Sequence, residues 1–200
     1  WKVESQEPVI GAVTIDNGLA YVGASDHTFR AIDIHTGKVV WKYGEVKGYI
    51  ETKPLITDNK VIFGAWDNTL YALDKNDGKE IWKWTGGLTR MHFSPAAVWP
   101  VAAEGKVFIA DPQRALTAID LENGKTVWRT FESQVRETVG LSEDGKQIYS
   151  KTMNDSIVCY ATQGNEPKKL WASNVGFGYE HAPSMPQEKE GVMNGSTKEG

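Results

Sequence analysis

Two glutamates, two histidines and an arginine are the residues of this 200-residue chain whose types could act together on a ligand. Glu51, His92, Arg136, Glu180 and His181 stand just ahead of short apolar runs, in the segments "ETK", "HFS", "RET" and "EHA"; "SQE" at 5–7 holds the same place near the amino terminus. Aligning these runs on Pro8, Pro54, Pro95, Val139 and Pro183 adds Ser5, Gln6, Thr52, Phe93 and Glu137 to the set. Carboxylate oxygens and imidazole nitrogens can ligate a metal ion, and a guanidinium and an aromatic ring beside them suit a polar ligand. The plainer account is a hydrated rim of charges that pair with one another.

A second candidate is the apolar and aromatic segment "MHFSPAAVWPV" at 91–101. Trp84 and Trp99 are expected to form an exposed contact there for another domain or a sugar. Other chemistries find no support in the residues. The lone Cys159 excludes an intrachain disulfide and a thiolate metal cluster, and is expected to be a small buried apolar residue. The histidines lack metal-ligand spacing, the Asp-rich turns lack the alternating oxygen ligands of a calcium loop, and neither a Gly-rich phosphate loop nor a G-x-S-x-G elbow is present. No catalytic, cofactor-binding or metal residue is assigned.

A net charge of −4 offers no basic surface for nucleic acid or anionic membranes, while 40% apolar residues suffice for a packed core. No apolar run approaches the roughly 20 residues of a spanning helix, and the opening "WKVESQ" has none of the marks of a signal peptide.

The elements that must position these residues are set by repetition. "AIDIHTGKVVWKY" at 31–43 recurs as "ALDKNDGKEIWKW" at 72–84 and "AIDLENGKTVWRT" at 118–130. Trp1, Trp41, Trp82, Trp128 and Trp171 are separated by 40, 41, 46 and 43 residues. Each period holds four short runs rich in β-branched and aromatic residues, such as "KPLITD", "KVIFGAW", "NTLYALD" and "KEIWKW", separated by Asn, Asp and Gly. That order predicts four antiparallel strands per unit joined by tight turns, and the period predicts an all-β propeller. Blades are expected at 7–43, 50–85, 92–131 and 135–174, with a partial blade at 179–200 and Trp1 ending another. About four complete blades with partial ones at both ends imply one propeller domain over 1–200, expected to be part of a seven- or eight-bladed ring.

Within the repeat, a tryptophan followed by Lys or Arg, rather than by Asp, argues against WD blades. The recurrent Ala-x-Asp-x-x-x-Gly-Lys-x-x-Trp resembles the tryptophan-docking motif of quinoprotein-like (pyrroloquinoline quinone repeat) β-propellers, a family that includes quinoprotein alcohol dehydrogenases and outer-membrane assembly lipoproteins. The resemblance implies that Trp41, Trp82, Trp128 and Trp171 are structural, each stacking on the Gly-Lys turn of a neighbouring blade. The fourth unit, "CYATQGNEPKKLW", replaces Ala by Cys159, loses the Asp and is longer, so its docking is expected to be weaker or differently shaped.

The same resemblance implies a non-catalytic scaffold or binding module for a protein partner or an adjoining domain, in a periplasmic or otherwise extracytoplasmic protein, with no cofactor. A fragment of a quinone-dependent dehydrogenase, with pyrroloquinoline quinone and calcium, is the alternative; a carbohydrate-binding propeller is the third reading. Against the alternative stands the single Cys159, because many such dehydrogenases carry an adjacent Cys pair.

Overall fold

The computed structural model describes residues 1–86 and 98–174, together with the backbone of two short strands at 187–189 and 192–194. Blade 1 comprises β1 (Thr14–Asp16), β2 (Leu19–Gly23), β3 (Phe29–Asp33) and β4 (Val39–Tyr43). Blade 2 comprises β5 (Leu55–Ile56), β6 (Lys60–Gly64), β7 (Thr69–Asp74) and β8 (Glu80–Thr85). Blade 3 comprises β9 (Val101–Ala103), β10 (Lys106–Ala110), β11 (Leu116–Asp120) and β12 (Thr126–Thr130), and blade 4 β13 (Val135–Leu141), β14 (Gln147–Thr152), β15 (Ser156–Ala161) and β16 (Lys169–Asn174). Each blade is an antiparallel sheet with its strands in chain order, and β17 (Gln187–Lys189) pairs with β18 (Val192–Asn194). The protein is an all-β propeller, and no helix occurs among its described residues.

Strand composition follows from position. In blade 2, every residue of β6 and all but the last of β7 are buried, because neighbouring blades cover both faces of these middle strands. They therefore read as nearly continuous apolar runs rather than as alternation. Outer strands have one wet face: in β4 only Trp41 and Tyr43 are buried, and in β8 only Trp82 and Trp84. A register shift recurs between the third and fourth strands of every blade, after Ala31, Ala72, Ala118 and Cys159. This bulge turns the outer strand so that its tryptophan faces the next blade.

The docking expected from the repeat is present at three joints. Trp1, Trp41 and Trp82 donate their indole N–H groups to the carbonyls of Ile34, Lys75 and Leu121, at 2.8, 3.0 and 3.0 Å. Each of those carbonyls follows the Asp of the motif. Asp33, Asp74 and Asp120 accept backbone N–H groups of the turn that follows, which fixes the Asx-type bend. Gly78 then turns with φ +73, and a Cβ built there would stand 2.5 Å from the Trp41 ring. Small size and left-handed backbone are both required at that point. Aromatic rings fill the joint behind it: Phe29 stacks on Phe63 at 4.1 Å, and Phe63 on Tyr71 at 5.3 Å.

Charged groups brace the same blades. Asp26 and Arg30 form a buried ion pair across the β2–β3 turn. Burial works against the Asp26 carboxylate, yet hydrogen bonds from Arg30 and Thr28 outweigh it and hold its pKa below the ordinary value. Glu80 is likewise lowered, burial being overcome by Lys83 and by the Tyr43 hydroxyl. Groups with depressed folded pKa values stabilise above their unfolded pKa, about 4, and lose that contribution as pH falls through the folded value. Urea midpoints are accordingly expected to stay level from about pH 7 to 5 and to drop below about pH 4. Asp26→Asn should lower the midpoint more at neutral pH than at pH 3.

Candidate functional site

In a meander blade the chain enters the innermost strand at the same end where the second strand turns into the third. That end therefore carries the blade-connecting loops and the β2–β3, β6–β7, β10–β11 and β14–β15 turns. The left-handed residues His27, Asn68, Arg114 and Asp155 lie in these turns. The first-strand registers pair Thr14 with Tyr21, Leu55 with Ile62, Val101 with Phe108 and Gly140 with Tyr149. Val13, Pro54, Pro100 and Val139 thus occupy equivalent places.

Two of the sequence anchors are corrected by this register. Val13 rather than Pro8 precedes β1, and Pro100 rather than Pro95 precedes β9, so each alignment shifts by five residues. Ser5 and Gln6 leave the candidate rim, and Gly11 packs instead against the Glu51–Thr52 backbone. A strand of only three residues carried too little pattern to set its own phase. Glu51 and Arg136 remain at equivalent positions, on blades 2 and 4 with blade 3 between them. They are half-buried and share no hydrogen bond or ion pair. His92, Phe93, Glu180 and His181 lie outside the described residues, as does the side chain of Glu137. Thr52 is buried and donates its hydroxyl to the Val98 carbonyl, a structural role.

Lys53, Trp99 and Thr138 do meet at one level of adjacent innermost strands. Trp99 forms a parallel bridge with Thr138, and the Lys53 ammonium lies over the Trp99 ring, 5.5 Å from its centre. Trp99 is 51% exposed, as expected of a surface contact. Trp84 is not its partner. Only 6% exposed, it packs in the joint between blades 2 and 3 and donates its indole N–H to the Thr126 hydroxyl at 2.9 Å. Its place two residues after Trp82 on an alternating strand puts both rings on the docking face. Trp99→Ala is expected to shift the melting temperature by less than about 2 °C, whereas Trp84→Ala should cost about 3–5 kcal/mol; thermal denaturation of the two variants separates them.

Two further exposed aromatics share this end, and sequence reasoning missed both. Tyr49 is half exposed, with the His27 ring 5.2 Å away. Trp66 begins the β6–β7 turn and donates its backbone N–H to the Tyr49 carbonyl. Asp67 holds this corner by accepting the Lys47 N–H at 2.9 Å and the Tyr71 hydroxyl at 2.5 Å. Burial first, then the Asp67 carboxylate, pushes the Tyr71 pKa well above the ordinary phenol value. The available signal was phase: Trp66 falls outside the docking register, and the Lys53-Pro54 and Trp99-Pro100 dipeptides occupy equivalent places.

For a quinone and its calcium the described residues make a poor fit. Among them no group of three or more His, Cys, Asp or Glu side chains could hold a metal ion, and Cys159 is buried with its thiol pKa raised by desolvation. Nor is any helix of the described residues long and apolar enough to cross a membrane.

Residues 1–82 match the family model described as outer membrane protein assembly factor BamB. Comparison with curated proteins gives no match. Among solved structures, BamB from Moraxella catarrhalis superposes with a TM-score of 0.70 at 18% identity, covering 87% of this chain and 55% of that one. The quinohemoprotein alcohol dehydrogenase from Comamonas testosteroni gives 0.68 at 21% identity, over 86% of this chain and 35% of the enzyme. The corresponding enzyme ADHIIG from Pseudomonas putida HK5 gives 0.72 at 15%, over 98% and 39%. The chain therefore spans about half the length of the solved BamB and little more than a third of either dehydrogenase. Period, docking geometry and these likenesses identify the fold as a β-propeller, whose residues 1–82 resemble the assembly-factor family model and whose blades resemble those of the quinohemoprotein dehydrogenases.

Proposed function

We propose that this chain is a non-catalytic propeller module that binds a protein partner through the end carrying its blade-connecting loops. The observation that carries the reading is the display of Tyr49, Trp66 and Trp99 on that end, with Lys53 against Trp99. Exposed aromatics beside a cation are the residue types that anchor protein interfaces. The family model matched by residues 1–82 names an assembly factor, which accords with a scaffold acting in an extracytoplasmic compartment as part of a larger protein.

A photo-crosslinking residue at position 66 or 99 is expected to capture a specific protein from a periplasmic extract. The same probe at Val40, on the outer edge of blade 1, should not. Lys53→Glu should weaken capture at position 99 without lowering the melting temperature. Equal labelling at all three positions would remove the reading. Titration with pyrroloquinoline quinone and calcium separates the alternative: a saturable thermal shift with dye reduction would mark a dehydrogenase fragment, and the module predicts neither.

A further inference from the structure

Successive joints satisfy the same two donors differently. Between blades 2 and 3, the Trp82 indole N–H meets the Leu121 carbonyl at 3.0 Å, and the buried Lys60 ammonium meets the Glu122 carboxylate at 2.8 Å. Strand register makes Lys106, Trp128, Thr162 and Gln163 the counterparts of Lys60, Trp82, Leu121 and Glu122 at the joint between blades 3 and 4. Lys106 is 7% exposed, and its ammonium donates to the Glu104 and Thr162 carbonyls at 3.1 and 3.2 Å. It forms no ion pair among the described residues, because Gln163 stands where Glu122 supplies the carboxylate. The Trp128 indole nitrogen is buried in the same joint and has no hydrogen-bond partner.

A buried ammonium without a counter-ion and a buried N–H without an acceptor both cost free energy, and one anion offsets both costs. Room for it lies beside them. Residues 163–168 are exposed and line a recess of about 540 Å³ that begins one residue after Thr162, with Glu166 and Lys168 as its charged members. A Cβ built on Gly164 would meet nothing within 4 Å, whereas one on Gly124 would stand 2.7 Å from the Trp82 ring. The turn that elsewhere lies against a tryptophan therefore stands clear here. The joint itself stays closed: Tyr160 and Ser133 share a hydrogen bond of 2.8 Å, and Lys169 pairs with Glu132.

We propose that this recess admits a carboxylate, which takes the place Glu122 holds one joint earlier and accepts from the Lys106 ammonium and the Trp128 N–H. Its source is a small free acid or an acidic side chain of a protein partner. Titrating the isotope-labelled protein with sodium acetate at constant ionic strength, and following the indole N–H resonances, tests the site. The Trp128 resonance, identified by its loss in Trp128→Phe, should shift saturably while those of Trp41 and Trp82 stay in place. Lys106→Met should weaken the response about tenfold or more, the factor expected for a lost charged hydrogen bond. Gln163→Glu supplies the carboxylate from the chain itself, so it should raise the melting temperature and abolish the acetate response. Because it keeps Lys106, this variant decides the matter even where Lys106→Met does not fold. An acetyl-Gly-Glu-Gly-amide peptide that saturates the shift at lower concentration than acetate would assign the carboxylate to a partner's side chain; saturation by acetate alone would assign it to a free acid. Shifts that are alike at all indoles, that never saturate, or that persist in Gln163→Glu would overturn the proposal.

Discussion

Replacing Trp82 by alanine is expected to lower the unfolding free energy by about 3–5 kcal/mol, the range for deleting a large buried side chain. The indole is almost wholly buried between blades 2 and 3, in one cluster with Ile62, Leu70, Ala72, Trp84, Val107 and Ile109. Its removal leaves a cavity bounded by two stiff sheets, which cannot collapse to fill it. The Leu121 carbonyl also loses the N–H that now lies 3.0 Å away. Trp171 provides the comparison within the same repeat. It is 44% exposed and meets Tyr149 at 6.0 Å, and no docking contact of the Trp82 kind is formed by it among the described residues. Trp171→Ala should therefore cost no more than about 1–2 kcal/mol. Urea denaturation of the two variants measures the difference; similar losses would mean that the Trp82 joint is not what holds these blades.

Gly78→Ala is the second large effect. The residue lies at φ +73, where an L side chain costs about 1–2 kcal/mol by backbone strain alone. Its new methyl would also stand 2.5 Å from Cε3 of Trp41 and 2.7 Å from Cδ2, a separation that neither ring nor turn can keep. Trp41 must withdraw, and its hydrogen bond to the Lys75 carbonyl goes with it. A total loss above about 3 kcal/mol is expected, with increased acrylamide quenching of tryptophan fluorescence as the indole becomes accessible. Gly164→Ala separates the two contributions. That glycine also has a positive φ, +89, but nothing lies within 4 Å of its Cβ. Only the backbone share of about 1–2 kcal/mol should appear there.

These effects show why the docking motif was readable and the site less so. Ala31, Gly37 and Trp41 must recur because each joint repeats one steric problem, a ring lying on a turn that has no room for a side chain. Repetition therefore reports it directly. The loss of the pattern in the fourth unit was equally legible, since Ala161 and the lengthened 163–168 loop remove the parts that seat Trp128. Trp84 misled because its type suited a contact surface. Strand alternation from Trp82 and the proximity of Thr126 decide that it faces inward.

The amino-acid sequence by itself determined the strand order, the blade period, the turn chemistry and the docking of Trp41 and Trp82, because these follow from local spacing repeated along the chain. Tertiary structure alone decided which residues meet across blades. Lys53 and Trp99 are 46 residues apart and come together only when two innermost strands lie side by side in register. Lys106 reaches the Thr162 carbonyl only when blades 3 and 4 pack, and the Trp128 indole nitrogen is buried in the same joint with no acceptor. A repeat encodes its own joint within each period; a site built from residues that do not repeat exists only once the blades are set against one another.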